Sequence, residues 1–172
     1  GISELRSLSF TEDGTGWNIT RELAKKNKVI LITRKNNIPS LDKYFGENDT
    51  SNLDITYHGF DLPKWCMSLK KKMGERGYVL YFYFWQMFIV QFIKRMRFSF
   101  DIAHALNFHS DSQPQFLWTL GKPTFWGPVG HHPKVPKKFI LPIYGRSAYV
   151  KDRLYYIFKW MLRNLDPFYY LA

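Results

Sequence analysis

A chain of 172 residues has the length of one domain and is long enough to bury a hydrophobic core. Apolar residues make up 45% of it and aromatic residues 19%, which excludes an intrinsically disordered chain. The single cysteine, Cys66, excludes a disulfide framework and a cysteine-based zinc site within these residues. The formal net charge of +11 predicts an anionic partner, which leaves nucleic acid, anionic lipid and phosphorylated small molecules as candidates.

The first predicted elements alternate between helix and strand. Residues 16–26 carry the apolar side chains Ile19 and Leu23 four positions apart, with Ala24 beside them, and predict a helix. The continuous apolar and β-branched run at residues 29–33 is typical of a strand that is buried on both faces of a parallel sheet. A short helix at residues 41–45 and an alternating strand at residues 53–57 follow. Residues 1–10 lack the basic start and apolar run of a signal peptide.

Residues 64–97 predict two helical stretches that are separated at residues 74–77. The second stretch is the most apolar part of the chain, with only two strongly polar residues between positions 78 and 93. Sixteen helical residues span about 24 Å, which is shorter than the ~30 Å hydrocarbon core of a bilayer. The stretch is therefore predicted to be buried or to lie at an interface, and not to cross a membrane.

The remaining elements are predicted to be a strand at 100–105, a short helix at 114–120, a strand at 124–126 and a long helix at 147–165. The last helix carries its apolar residues on one stripe at the helical period. The alternation of strands and helices predicts an α/β doubly wound sheet in one domain over residues 1–172. Only residues 1–8 are left for a first central strand, so we expect a fragment. The apolar stripe of the predicted helix at 147–165 consists of Val150, Leu154, Ile157, Phe158, Met161, Leu162 and Leu165.

A glycine-containing segment, residues 12–17, directly precedes the first predicted helix, which Asp13 or Thr15 would cap. Glycines at a strand-to-helix turn let backbone N–H groups and the helix N-terminus face a phosphate. Gly14 and Gly16 do not complete a dinucleotide-binding fingerprint, and a tight turn with a helix cap explains them equally well.

Four of the five histidines fall in two loops that follow predicted strands. Such loops lie at the sheet edge where ligands of open α/β folds bind, and histidine there can bind a sugar or phosphate or carry a proton. The alternative is that they are ordinary polar loop residues. His104, His109, Asp111 and His131 can be drawn as a zinc site, but no spacing matches a metal motif, so no metal is predicted. The first of the two histidine-containing loops holds His104 and His109, and the second holds His131 and His132.

Basic residues alternate with Trp and Tyr along much of the chain. This combination suits interfacial membrane binding, in which rings lie at headgroup depth and cations contact phosphate. Single-stranded nucleic acid would suit the same residues, but no RNA-binding motif is present. Runs of charge that merely face solvent are the remaining alternative. The cations assigned to a membrane surface are Lys70, Lys71, Lys72, Lys151, Lys159 and Arg163.

The ordered motifs of the chain resemble the N-terminal half of family 4 glycosyltransferases with the GT-B fold. The resemblance begins with Gly14–Asn18, followed by Leu23-Ala24 and the segment Val29–Asn37, in which Thr33-Arg34-Lys35-Asn36-Asn37 matches the family's "TR.NN". It continues over residues 3–167 as a set of short motifs in the family's order. These are the segments 61–65, 81–86, 100–104, 114–118, 120–123 and 126–130.

The resemblance implies a Rossmann-like, mostly parallel doubly wound sheet that binds the acceptor. A second half, absent here, would hold the nucleotide-sugar, and transfer would proceed in the cleft with retention of configuration and without a metal or other cofactor. The implied acceptor is a saccharide or lipid-linked precursor of a cell-surface polysaccharide. The implied location is cytoplasmic, on the inner face of the cytoplasmic membrane, and residues 1–172 alone are predicted to be inactive.

Within this resemblance, His104 is the predicted catalytic residue. The family usually continues the motif at 126–130 with further glycine and an acidic residue, whereas His131-His132-Pro133 stand here. The alternative function is a non-catalytic module that binds a membrane surface or nucleic acid. The residues predicted to bind the acceptor or line the cleft are Gly14, Thr15, Gly16, Asn107, His109, Gly130, His131 and His132.

Overall fold

The computed structural model describes residues 12–106, 114–130 and 134–170. Asn107, His109, Asp111, His131 and His132 therefore lie outside the described residues, as does the segment suggested for a first strand. The chain is a mixed α/β protein that divides into two compact units, Gly1–Phe98 and Ser99–Ala172. The single domain over residues 1–172 stays a prediction.

The first unit contains a parallel pair of strands, β1 (Val29–Thr33) and β2 (Ile55–Gly59), joined through helix α2 (Ile38–Glu47). The register pairs Val29 with Ile55 and Thr33 with Gly59. The strand predicted at 29–33 is confirmed, whereas β2 begins two residues later than predicted. Full burial of β1 was the wrong expectation, because its five residues are only half-buried and β2 is its only partner among the described strands.

Helix α1 (Glu12–Ala24) packs its buried face, which includes Trp17, Thr20 and Ala24, onto the unit. The Trp17 ring meets Tyr44 of α2 edge-on, with centroids 5.0 Å apart. Edge-to-face contacts of this kind add to the free energy of hydrophobic burial. The predicted first helix is thus confirmed, but it begins four residues earlier and leaves Leu23 exposed.

Helix α3 (Lys64–Met96) is one continuous helix of 33 residues, so the predicted separation at 74–77 is wrong. Each glycine costs a helix only about 1 kcal/mol relative to alanine, which flanking helix formers and tertiary packing can offset. Arg97 ends the helix in the left-handed conformation, with φ of 54°. The second half of α3 supplies much of the described core: Tyr81, Phe82, Trp85, Ile89, Val90 and Ile93.

The second unit contains a shorter parallel pair, β3 (Ala103–Ala105) and β4 (Thr124–Trp126). The strand predicted at 124–126 is confirmed, and β3 covers the end of the strand predicted at 100–105. A 3-10 turn at Leu117–Leu120 replaces the predicted short helix. In the described part of the chain the two strand pairs form separate two-stranded sheets, so a doubly wound sheet remains a proposal.

Helix α4 (Lys137–Leu165) begins ten residues before the predicted start, with Pro142 inside its first part. Gly145 has φ of 78° and ψ of 179°, which interrupts the helical backbone. Glycine adopts this conformation because it lacks a Cβ atom. The predicted helix at 147–165 corresponds to the segment that follows Gly145. A 3-10 turn at Pro167–Tyr170 comes after it.

Candidate functional site

The predicted glycine turn is wrong, because Gly14, Thr15 and Gly16 lie inside α1. Gly14 and Gly16 are buried, and the Gly16 carbonyl accepts a hydrogen bond of 2.8 Å from the Thr20 hydroxyl. Asp13 and Thr15 are helical residues and not caps. Gly14, Thr15 and Gly16 therefore lie in the first turns of the helix and not in a turn that precedes it, and their role in binding the acceptor stays a prediction.

His104 lies on β3 opposite Phe125 of β4, and its imidazole is exposed. Its Nε2 atom is 3.0 Å from the carbonyl oxygen of Gly127, just beyond the carboxyl end of β4. Because a carbonyl only accepts hydrogen bonds, Nε2 carries the proton in this contact. Nδ1 of the neutral ring is then the atom that can accept a proton. The catalytic role of His104 stays a prediction.

Of the remaining predicted cleft residues, only Gly130 is described, and it is exposed beyond β4. Gly127 precedes a cis peptide bond to Pro128 in the same loop. The described residues contain no group of three His, Cys, Asp or Glu side chains that could hold a metal ion. The structure thus brings His104 and the 127–130 loop to one sheet edge.

A polar cluster that the sequence did not reveal lies at the carboxyl ends of β1 and β2. Arg34 follows β1, Asp61 follows β2, and the Arg34 Nε atom donates to Asp61 Oδ1 over 3.2 Å. The Tyr81 hydroxyl of α3 donates to the same oxygen, also over 3.2 Å. The Arg34 guanidinium lies 5.6 Å from the centre of the Tyr81 ring. One carboxylate thus joins both strands to α3.

The environment of this cluster is only partly open to water. The side chains of Arg34 and Asp61 retain 24% and 20% of their exposure, and Tyr81 is buried. Burial and then the negative charge of Asp61 raise the pKa of the Tyr81 phenol. Nearby, Trp85 donates its indole N–H to the carbonyl of Phe60 over 3.0 Å. The cluster can offer a polar ligand a guanidinium edge and a carboxylate at the end of a parallel sheet, where α/β proteins bind ligands.

The apolar stripe predicted on α4 is exposed and not buried. Ile157 retains 54% of its exposure, and the other members whose side chains are described are also exposed. The opposite face, which includes Arg153, Tyr156 and Lys159, is the more buried one. Arg153 donates to the carbonyl of Val135 over 2.7 Å and lies 4.6 Å from the centre of the Tyr149 ring. The hydrogen bond thus joins Arg153 to the segment before α4, and the cation–π contact lies within the helix.

Because the polar face of α4 is its more buried face, not all of the predicted membrane-surface cations are exposed. Lys151 and Lys72 are exposed as expected. Lys159 is only 5% exposed, because it lies on the inward face with its Nζ atom 5.6 Å from the centre of the Tyr155 ring. Arg163 lies on the same face and is half-buried. The side chains of Lys70 and Lys71 lie outside the described ones.

A polar cleft of about 550 Å³ lies at the amino ends of β1 and β2. Residues 24–28 and 51–54 line it, including three lysines and Asp54. Ligands of open parallel sheets bind at the opposite, carboxyl end. The cleft is therefore separate from the Arg34–Asp61–Tyr81 cluster, and no pattern in the sequence indicated it.

No helix within the described ranges has both the length and the apolar character that crossing a bilayer requires. Comparison with protein-family models, with curated proteins and with solved structures finds no match for this chain.

Proposed function

We propose that the chain is the acceptor-binding half of a retaining glycosyltransferase with a Rossmann-like, doubly wound sheet. The observation that carries the proposal is the Arg34–Asp61–Tyr81 cluster. It joins three segments on which the family resemblance rests: 33–37, 61–65 and 81–86. Segments distant in sequence that meet at the carboxyl end of parallel strands have the position of a ligand site in an α/β protein.

The chemistry of the cluster supports a saccharide or lipid-linked acceptor. Sugar hydroxyls both donate and accept hydrogen bonds, so a carboxylate such as Asp61 and a guanidinium such as Arg34 can orient them. The nucleotide-sugar would bind to a second half of the enzyme, and transfer would need both walls of the cleft to stabilise its transition state. No metal or organic cofactor is part of this proposal.

In this proposal, His104 at the edge of the β3–β4 pair is the catalytic residue. The hydrogen bond to the Gly127 carbonyl would hold the ring in place and leave Nδ1 as a proton acceptor. Asn107, His109, Gly130, His131 and His132 stay predicted acceptor- or cleft-binding residues of the second unit, and Gly14, Thr15 and Gly16 stay predicted acceptor-binding residues of the first unit.

The test measures sugar transfer by the protein as its gene encodes it, with a panel of nucleotide-sugars and a lipid extract as acceptor. We expect His104→Ala to lower kcat by roughly 10²-fold, the effect of one placed acid–base or hydrogen-bonding group. Ile102→Ala is the control, because Ile102 is an exposed neighbour on the same segment. Turnover that is equal in the two variants would assign His104 a structural role, and absence of transfer with every donor would refute the proposal.

A second expectation is that transfer needs both the acceptor-binding half and the half that binds the nucleotide-sugar. Purified residues 1–172 should show no sugar transfer under conditions in which the complete protein turns over. Detectable transfer by this polypeptide alone would contradict its assignment as an acceptor-binding half.

A second candidate function is docking on an anionic membrane surface at the inner face of the cytoplasmic membrane. The exposed apolar face of α4 favours it, because transfer of aliphatic side chains such as Leu154 and Leu165 from water into a lipid interface lowers the free energy. Four basic residues of α4 are also exposed and complement anionic headgroups: Lys137, Lys138, Arg146 and Lys151. Exposed rings of α4 such as Phe158 and Trp160 would also suit stacking with bases, but no RNA-binding motif is present, so nucleic acid is the second choice.

Vesicle sedimentation tests this docking. We expect binding to vesicles with anionic lipid and not to neutral ones, weakened by salt, by Leu154→Asp and by charge reversal at Lys151 or at Lys70, Lys71 and Lys72. Equal indifference to both vesicle types would refute docking. Binding of single-stranded RNA that depends on Lys151 but not on Leu154 would instead support a nucleic-acid module.

A further inference from the structure

A cleft of about 360 Å³ opens on the last helix of the second unit. Three of its six lining residues are cations: Lys134, which lies exposed in the loop before α4, and Lys159 and Arg163, which lie one turn apart on the helix. None of the described residues that line it is acidic. The other lining residues are Tyr156, Ile157 and Trp160.

The placement of these cations suits an anionic ligand. Lys159 is only 5% exposed, with its Nζ atom 5.6 Å from the centre of the Tyr155 ring, so packing restricts where its charge can lie. A ligand that meets a charge already held in place loses less side-chain entropy on binding.

The remaining walls of the cleft are aromatic and aliphatic. Trp160 and Ile157 are exposed and belong to the helix surface that continues into the apolar face of α4. A ligand seated among the three cations would therefore have an apolar surface directly beside it. Arginine recognises phosphate oxygens with its planar fork, and lysine contributes a compact point charge.

We propose that the cleft formed by Lys134, Lys159 and Arg163 binds a phosphoryl group, with Tyr156 and Trp160 contacting the part of the ligand that carries it. The proposal goes beyond sugar transfer and does not depend on it. The phosphoryl group can come from a lipid headgroup or from a soluble phosphate, and the two sources differ in whether a vesicle is needed for binding.

The first experiment titrates the full chain with inorganic phosphate and follows the fluorescence change that is lost in Trp160→Phe. We expect saturable binding that Lys134→Gln and Arg163→Gln each weaken about fivefold or more. Lys138→Gln removes the same charge from an exposed position on α4 outside the cleft and should change the affinity less than about twofold. Lys134→Arg keeps the charge and should restore binding, and Lys134 is a loop residue whose replacement leaves the helix intact.

The second experiment uses vesicles of a neutral lipid to which either phosphatidic acid or the same amount of oleate, a carboxylate, has been added. If Lys134→Gln and Arg163→Gln weaken binding to phosphatidic acid but not to oleate, the source is a lipid headgroup. If they weaken only the binding of inorganic phosphate, the source is a soluble phosphate. The proposal is overturned if phosphate does not bind saturably, or if Lys138→Gln weakens binding as much as the cleft variants do.

Discussion

Helices α3 and α4 are both long and both carry apolar residues along their length, but these residues are buried in α3 and exposed in α4. In α3 the apolar residues Trp85, Ile89 and Ile93 are buried, and the helix contacts the loop after β2 through Tyr81 and Trp85. In α4 the apolar stripe is exposed, and Lys159 faces inward.

The contrast separates two kinds of information in a helical pattern. The period of apolar residues identifies which side chains share a face, but it does not identify what covers that face. A large exposed apolar surface on a folded chain marks an interaction site. We therefore assign α3 to the core of its unit and keep a partner for the apolar face of α4 as a proposal.

The largest expected effect comes from truncating one isoleucine on each helix. Ile89→Ala removes a side chain that is 8% exposed and should lower the free energy of unfolding by about 3 kcal/mol. Ile157→Ala removes one that is 54% exposed and should lower it by about 0.5 kcal/mol or less. Urea unfolding measures both values, and equal losses would remove the contrast between the helices.

A smaller effect is expected where α3 meets the strand ends. Asp61→Ala leaves Arg34 without its carboxylate and Tyr81 without its acceptor, so we expect a loss of about 2 kcal/mol in the free energy of unfolding. Glu22→Ala breaks the exposed Glu22–Lys25 pair and serves as the control, with no measurable loss expected. A loss in the control that matches Asp61→Ala would show that the cluster is no more than a surface ion pair.

The smallest expected effect is a pH dependence at Tyr81. Burial and Asp61 raise the pKa of its phenol in the folded state, so the unfolded state loses this proton first as pH rises. The resulting stability is fully present below the unfolded pKa of about 10 and is lost as pH rises through the folded pKa. From about pH 9 upward the wild type should lose stability more steeply than Tyr81→Phe, and parallel profiles would contradict this origin.

The sequence predicts local elements better than it predicts contacts between them. The β-branched run at 29–33 is a strand as expected, because its pattern suits a parallel sheet. The Arg34–Asp61 contact joins residues 27 positions apart, and nothing in the local pattern indicates that they meet. Each lies within two residues of the end of a strand in the structure, but the predicted second strand ends at residue 57, four residues before Asp61. The burial of Lys159 could not be predicted, because a period of apolar residues does not show which face turns inward.

Quenching of tryptophan fluorescence by brominated lipid tails tests most directly whether the apolar face of α4 enters a lipid surface. Trp160 of α4 and Trp65 of α3 are matched probes, with 64% and 69% of their surface exposed. With anionic vesicles, we predict strong quenching that Trp160→Phe reduces sharply and Trp65→Phe leaves unchanged. Quenching that survives Trp160→Phe and disappears in Trp65→Phe, or no quenching at all, would contradict docking through α4.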